Sequence, residues 1–249
     1  GALTGLVEIK NNGGTAMVSG QAKLAGAEVE SLLDGGGLTG RADVTATLSA
    51  SGKTVEGLVA SLSGSGTAKA SGLTISGLNA GAFDAIIARA DEIGRSIDGP
   101  RTAAFAPQLV SAGSFAADEA DLAFAVAGGI LRAPPLRLAG PRATVSVSLR
   151  ADLSSATVAA DGEISYAAGD EALVGSEPAV RFTAEGVPGM MNVRLDTEPL
   201  AQFLTQRALE IEQARVEAMQ AALLEKQRLR REARYYAALQ SERQRLDEE

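Results

Sequence analysis

Apolar and polar residues alternate along several segments of this chain, and such alternation is typical of β-strands that bury one face. The clearest segment runs from Ala143 to Leu153, where every second residue is apolar and the residues between are polar. At about 3.3 Å per residue, a strand of this length would span roughly 36 Å. Shorter apolar rows with the same spacing recur along the chain: Leu3, Gly5, Val7 and Ile9; Val44, Ala46 and Leu48; Leu122, Phe124 and Val126; and Val180, Phe182 and Ala184.

Short turn signals separate these rows. They are rich in Gly, Asn, Asp and Pro, at Asn11 to Gly14, Asp34 to Gly37 and Ala133 to Pro135. Strands joined by short turns favour an antiparallel meander over the helical crossovers that a parallel sheet needs. The sequence therefore predicts a mainly β fold: a curved, groove-like antiparallel sheet with short helices and a long C-terminal α-helix.

Two internal segments have helical spacing instead. Thr54 is a suitable N-cap for a short helix near residues 55–62. A second helix is predicted near residues 81–97, where apolar residues recur every three or four positions, and Gly99-Pro100 predicts its end. We expect this second helix to close one end of the sheet.

The chain changes character at about Glu198. From there onward glycine is absent and Ala, Leu, Glu, Gln and Arg dominate, which predicts a long helix that carries charge toward its end. The sequence therefore predicts two parts, a β-domain over residues 1–197 and a C-terminal helix with a charged tail over residues 198–249.

Composition excludes several chemistries. Cysteine, histidine and tryptophan are absent, so thiol nucleophiles, disulfides, imidazole-based triads and Cys/His metal sites are excluded. We expect no metal and no cofactor. A net charge of −8 argues against nucleic-acid binding.

The sequence contains neither a run of about 20 apolar residues nor a signal peptide. Because it begins with Gly1, we expect it to be a piece of a longer protein whose membrane anchor lies in a missing N-terminal segment.

Two features could be taken for catalytic or nucleotide sites. Asp161 and Glu163 belong to acidic clusters that could place two carboxylates about 5 to 9.5 Å apart, as a glycosidase requires. We interpret them as charges on turns and outer strand faces, with no aromatic sugar platform beside them. The glycine-rich segment Ser63 to Gly66 lacks the following residues of a Walker loop, so turn and bulge roles are favoured. We predict no catalytic residue and no enzymatic activity.

The alternating apolar rows allow two interpretations. They are either ordinary core beneath a second layer or a hydrophobic trough that receives lipid acyl chains, and periodicity alone does not separate the two. The residues predicted to bind lipid in such a trough are Val44, Leu48, Leu122, Phe124, Val126, Val145, Val147, Leu149, Val180 and Phe182.

A basic stretch in the C-terminal helix is a candidate membrane-surface site. Its residues are Lys226, Arg228, Arg230, Arg231 and Arg234. Each basic residue near an anionic head-group layer contributes about 1 kcal/mol. The alternative is a solvated helix with ion pairs, because Glu225 and Glu232 lie three and four residues from Arg228. A coiled coil is a third interpretation, with seven-residue spacing at Leu209, Val216 and Leu223.

One segment resembles a known family. Residues Leu48 to Gly77 read LSASGKTVEGLVASLSGSGTAKASGLTISG, a turn flanked by serine and glycine, a short apolar helix and a glycine-spaced strand pair. This segment resembles the signature of the C-terminal region of AsmA-like proteins, which are envelope proteins of Gram-negative bacteria. The resemblance is strongest over Leu38 to Gly81, continues more loosely to about Ile164, and includes Ser176 to Glu212. It leaves out the charged tail.

The resemblance implies a function outside catalysis. Members of this family have an N-terminal inner-membrane helix and a periplasmic β-structure, and several carry phospholipid between the inner and outer membranes along a hydrophobic groove. We therefore expect a periplasmic protein, anchored in the inner membrane through the missing segment, that binds or conducts phospholipid in support of outer-membrane homeostasis. The alternative is a structural or assembly module for outer-membrane proteins that docks envelope protein partners through the C-terminal helix.

Overall fold

The computed structural model of the protein describes residues 1–33 and 37–247. Its strands are β1 Ala2–Asn12, β2 Thr15–Glu28, β3 Leu38–Gly52, β4 Ser63–Ser76, β5 Ser114–Ala127, β6 Ile130–Ala139, β7 Ala143–Asp152, β8 Thr157–Tyr166, β9 Ala179–Val187 and β10 Met190–Asp196. Its α-helices are α1 Val29–Leu33, α2 Val55–Ala60, α3 Ala82–Ile93, α4 Gly99–Ser111 and α5 Glu198–Asp247. Residues 34–36 of the predicted turn at Asp34 to Gly37 lie outside the described residues.

The ten strands form one sheet in which neighbours in sequence are neighbours in space, from β1 to β10. Every neighbouring pair is antiparallel. Within the described residues, β1 and β10 each have a single strand neighbour, so the sheet is open. The predicted antiparallel β fold with short helices and a long C-terminal helix is confirmed.

The connections divide the sheet into two ends. The link that contains α3 and α4 joins β4 to β5 at one end, and α1 and the start of α5 follow strands that finish at that same end. We call it the helix end. The opposite hairpin end carries α2, whose predicted cap is confirmed because the Thr54 Oγ1 accepts a hydrogen bond from the Gly57 backbone N–H at 3.1 Å.

Two predictions about turns are wrong. Pro134 and Pro135 lie inside β6, where the register shifts between Ala133 and Leu136, rather than in a turn between strands. A bulge is one of the few strand positions that tolerate proline, because its N–H is not needed for the ladder. Likewise Ser63 to Gly66 belongs to β4 and pairs with both of its neighbours, so these glycines have a place inside the sheet.

The sequence also missed a helix. The helix predicted over residues 81–97 is confirmed as α3, which a short 3-10 turn follows, but Gly99-Pro100 begins α4 rather than a loop. Asp98 caps α4 by accepting a hydrogen bond from the Arg101 backbone N–H at 2.9 Å. Proline suits the first turn of a helix because its fixed φ is helical and its missing N–H is not needed there. A local signal for α4 existed in its buried stripe, Thr102, Ala106 and Val110.

The densest core lies at the helix end. The Phe83 ring of α3 stacks on the Tyr166 ring at the end of β8, with centroids 5.9 Å apart, and meets the Phe203 ring of α5 at 5.8 Å. Phe115 and Ile164 supply fully buried side chains from the sheet. The second predicted helix therefore packs against the sheet at the helix end.

By its internal contacts the chain divides into two compact units, Gly1–Leu204 and Thr205–Glu249. The first contains the sheet, the four short helices and the first residues of α5. The second is the rest of α5. The division predicted from the sequence, after residue 197, stays a prediction.

Candidate functional site

One face of the sheet is apolar from β1 to β5. Leu3 lies opposite Leu24, Leu24 opposite Val44, Val44 opposite Ala68, and Ala68 opposite Leu122. Because residues directly opposite each other in an antiparallel pair point to the same side, these five side chains form one row across five strands.

The same face continues to β9. Val126 of β5 lies opposite Leu131 of β6, and farther along the sheet Val145, Ile164 and Val180 are mutually opposite neighbours on β7, β8 and β9. We call this continuous side of the sheet the apolar face. It brings together the residues predicted to bind lipid: Val44, Leu48, Leu122, Phe124, Val126, Val145, Val147, Leu149, Val180 and Phe182.

Exposure of the apolar face rises toward β1. At the helix end Val145 and Val180 have no accessible surface, so they belong to the core and are closed to a ligand in this structure. Val126 and Phe182 are also buried. The rest of the predicted set is half-buried: Val44, Leu48, Leu122, Phe124, Val147 and Leu149. The face ends in exposed side chains on β1, where the relative exposure is 72% for Leu3, 64% for Val7 and 70% for Ile9.

Two glycines on the apolar face each lie under a phenylalanine. Gly66 pairs with Phe124, and a Cβ added to Gly66 would lie 2.9 Å from Phe124 Cε1. Gly162 pairs with Phe182, and the corresponding distance to Phe182 Cε1 is 2.8 Å. Glycine inside a strand often marks a close approach of this kind. Local sequence pattern gives no sign of either pair, because only the register of neighbouring strands brings the two residues together.

The opposite side of the sheet is polar and carries Asp161 and Glu163, the two carboxylates considered for a glycosidase. Asp161 is exposed, and Glu163 is half-buried on the same side. Arg181 lies 3.5 Å from Glu163 and 3.8 Å from Asp196, so these charges form a small surface network. They are outer-face charges, as interpreted from the sequence. The described residues contain no cluster of acidic side chains that could hold a metal ion.

Two shallow hollows are bordered mostly by polar residues and glycines. One, of about 510 Å³, is bordered by Glu28, Glu30 and Arg41. The other, of about 500 Å³, lies among β1 to β4, and its lining includes serines such as Ser19 and, from the predicted lipid set, Leu48. Most of the lining of this second hollow comes from the polar side of the sheet, where Leu6, Gln21 and Thr47 are opposite neighbours, so it is not a pocket of the apolar face.

The predicted basic stretch lies on α5, and all its side chains are exposed. Arg228 forms both ion pairs that the spacing predicted, at 3.2 Å to Glu225 and 3.6 Å to Glu232. Within the described residues the other basic side chains of the stretch form no ion pair: Lys226, Arg230, Arg231 and Arg234. Among the described residues, no helix is long and apolar enough to cross a membrane.

Two hydroxyl groups are buried in the core without a hydrogen-bond partner among the described residues. They belong to Tyr166 on β8 and Thr102 on α4. Burial raises the pKa of the Tyr166 hydroxyl well above its usual value, because the phenolate would lose its hydration in this apolar packing. The stacked Phe83 ring identifies Tyr166 as a packing residue.

The chain was also compared with known proteins. No protein-family model matches it, and neither a curated protein nor a solved structure does so.

Proposed function

We propose that this chain is a non-enzymatic lipid-binding protein whose apolar face receives the acyl chains of phospholipids. The observation that carries the proposal is the continuity of that face from buried core at the helix end to the exposed side chains Leu3, Val7 and Ile9 of β1. The resemblance to AsmA-like proteins supplies the setting: binding or conduction of phospholipid between the inner and outer membranes, in the periplasm, with an anchor in the inner membrane.

Physical chemistry supports an apolar ligand on this face. Large contiguous apolar patches are uncommon on the free surface of soluble proteins and mark interaction sites. Covering apolar surface yields about 25 cal/mol per Å², or about 0.8 kcal/mol for each methylene of an acyl chain that is removed from water. A face rich in Val, Leu and Ala offers such coverage without demanding a specific polar partner.

The dimensions also suit an acyl chain. From Leu3 to Ile9 the apolar row of β1 extends over roughly 20 Å at about 3.3 Å per residue. One leaflet contributes about half of the roughly 30 Å hydrocarbon core of a bilayer. A single strand row is therefore longer than the acyl region of one leaflet, and neighbouring rows give room for a second chain.

The test is native mass spectrometry and lipid extraction on the purified chain, with two matched variants of β1. Val7→Glu places a charge on the apolar face, whereas Leu6→Glu places the same charge on the opposite side of the same strand. Both positions are exposed, at 64% and 78%, so neither change should unfold the sheet. We expect phospholipid to co-purify with the wild type and with Leu6→Glu but to be lost in Val7→Glu. A lipid-free wild type, or equal lipid in both variants, would contradict the proposal.

A second candidate function is an assembly module for outer-membrane proteins, in which α5 docks an envelope protein partner. The observation that favours it is the row of exposed apolar side chains with seven-residue spacing on α5, Leu209, Val216 and Leu223. Replacing Leu209, Val216 and Leu223 together by serine tests this function, since it removes the exposed row and touches no residue of the sheet. Loss of partner capture with retained lipid would favour the assembly module.

A further inference from the structure

One side of α5 has the residue spacing of a coiled-coil contact. Its positions follow each other at intervals of three and four residues, which keeps them on one side of the helix. The four apolar members are 38% to 66% exposed, so the described residues of the chain leave this side uncovered. We call the set the α5 stripe, and its members are Leu209, Glu212, Val216, Met219, Leu223 and Lys226.

The two charged members of the α5 stripe have opposite signs and lie toward opposite ends of it. Glu212 lies 3.7 Å from Arg215 of its own helix, and an exposed pair of this kind contributes little to stability. Lys226 forms no ion pair within the described residues. The stripe therefore has a negative half and a positive half around a centre between Val216 and Met219.

We propose that the α5 stripe binds the same stripe of a second copy of this chain in antiparallel orientation, with the twofold axis between Val216 and Met219. In that register Val216 lies opposite Met219 of the other copy at the centre of the contact. Leu209 packs on the aliphatic stem of Lys226 of the other copy, because long charged side chains cover apolar surface while their charged ends stay in water. A twofold contact of this kind is closed and stops at a dimer.

The orientation follows from the charges. In the antiparallel pair Glu212 lies opposite Leu223 of the other copy and three residues, or about 4.5 Å along the axis, from Lys226 of that copy. The twofold axis repeats this approach at the other end of the stripe, so two ion pairs form. Parallel helices would instead set Glu212 against Glu212 and Lys226 against Lys226, and like charges opposite each other disfavour association. The charges therefore select the antiparallel dimer.

The neighbouring positions and the length of the stripe set the strength of the contact. In the antiparallel pair Gln213 lies beside Gln220 of the other copy and Arg215 beside Ala222, so no like charges meet at the flanks. The stripe extends over about 26 Å at about 1.5 Å per residue. Interfaces below about 1,200 Å² are characteristic of weak complexes. The dimer is therefore in reversible equilibrium with the monomer, and a second copy competes with an envelope protein for the stripe.

Charge exchange tests the pairing by sedimentation velocity over a concentration series. Glu212→Lys should raise the Kd of the dimer about tenfold, because it replaces two exposed ion pairs by like charges. Lys226→Glu should do the same, and the double variant Glu212→Lys/Lys226→Glu should restore the wild-type Kd. Glu217→Lys is the matched control, since it makes the same charge change at an exposed position outside the stripe and should leave the Kd unchanged.

Single cysteines test the orientation, because the chain contains none. An equimolar mixture of Leu209→Cys and Lys226→Cys chains should give a covalent heterodimer with a short bismaleimide, because these positions lie opposite each other in the antiparallel pair. Leu209→Cys alone should stay monomeric, since its two thiols would lie about 26 Å apart along the axis.

Three results would overturn the proposal: a monomer at all concentrations, a double charge exchange that restores nothing, or crosslinking of Leu209→Cys with itself, which indicates parallel helices. A monomeric chain that captures an envelope protein through the α5 stripe would overturn it as well and assign these side chains to the second candidate function. None of these readouts involves lipid, so their failure leaves the proposed function standing.

Discussion

The ring of Phe124 occupies the space that a Cβ of Gly66 would need, on the strand directly opposite. Phe182 and Gly162 repeat the relationship four strands away in chain order, with β8 and β9 in place of β4 and β5. At both points a large ring lies close against the backbone of its neighbour, and the apolar face stays filled although one partner has no side chain.

The first prediction concerns this contact. Gly66→Ala should lower the free energy of unfolding by about 1 to 3 kcal/mol, the usual cost of forcing an extra carbon into a packed site. Urea denaturation measures the change. The double variant Gly66→Ala/Phe124→Leu should recover only part of the loss, because a smaller side chain opposite leaves room for the methyl group while the Thr45 backbone oxygen still lies against it. Additive losses of the two single variants would argue against the contact with Phe124.

The second prediction separates core from ligand surface with two neighbouring positions of β7. Val145→Asp should prevent folding, because a fully buried side chain would become an unpaired charge. Val147→Asp lies on the same face but is half-buried, and we expect a folded chain with lowered stability that no longer co-purifies with phospholipid. Circular dichroism melts and lipid extraction measure the two effects. Unfolding of both variants would identify the apolar face around β7 as sealed core.

The third prediction concerns the basic stretch of α5. Replacing Arg230 by Gln should weaken binding to vesicles that contain anionic phospholipid by about 1 kcal/mol, or roughly fivefold, and added salt should reduce the difference. Arg228→Gln is the matched control, because two glutamates already neutralise Arg228. Equal effects of the two variants in a vesicle sedimentation assay would argue against a membrane-surface role.

The fourth prediction concerns alkaline stability. The pKa of Tyr166 is raised in the folded chain, so the folded state keeps its proton at pH values where the unfolded chain has lost it. Its contribution is therefore fully present below the unfolded pKa of about 10 and is lost progressively as the pH rises above that value. Tyr166→Phe should reduce this alkaline loss. Because the hydroxyl has no partner among the described residues, the variant should also be at least as stable at neutral pH.

Urea unfolding of the wild type and of Tyr166→Phe between pH 8 and pH 11 checks the fourth prediction, with Tyr235→Phe as a control at an exposed tyrosine. Parallel pH profiles for the wild type and Tyr166→Phe would contradict it.

Local pattern predicted the strands well, since alternation is a property of neighbouring residues. Val145, Val147 and Val7 all satisfy the same alternation, yet Val145 is buried, Val147 is half-buried and Val7 is exposed. The difference arises from the helices that cover the helix end, and residues distant in sequence decide it. For the same reason the sequence predicted the membership of the apolar face but not the exposure of each member.

The errors have equally specific causes. Gly99-Pro100 is suited to ending one helix and to starting another, and only the downstream stripe of α4 distinguishes these roles. Pro134-Pro135 satisfies the sequence signature of a turn, but the bulge in β6 removes the need for its backbone donors. Gly64 and Gly66 have the sequence signature of a turn, and the residues that they face inside the sheet, Leu48 and Phe124, are far away in sequence.

The order of the strands bears on how the chain folds and on how it unfolds under force. Each strand pairs with the one before it in the chain, so most pairings close short loops and can form hairpin by hairpin. The exception is the junction of β4 and β5, which must wait for the two helices between them. A force that pulls on Gly1 should therefore peel strands from the edge in sequence order, and the resistance should rise when the junction beneath α3 and α4 is reached.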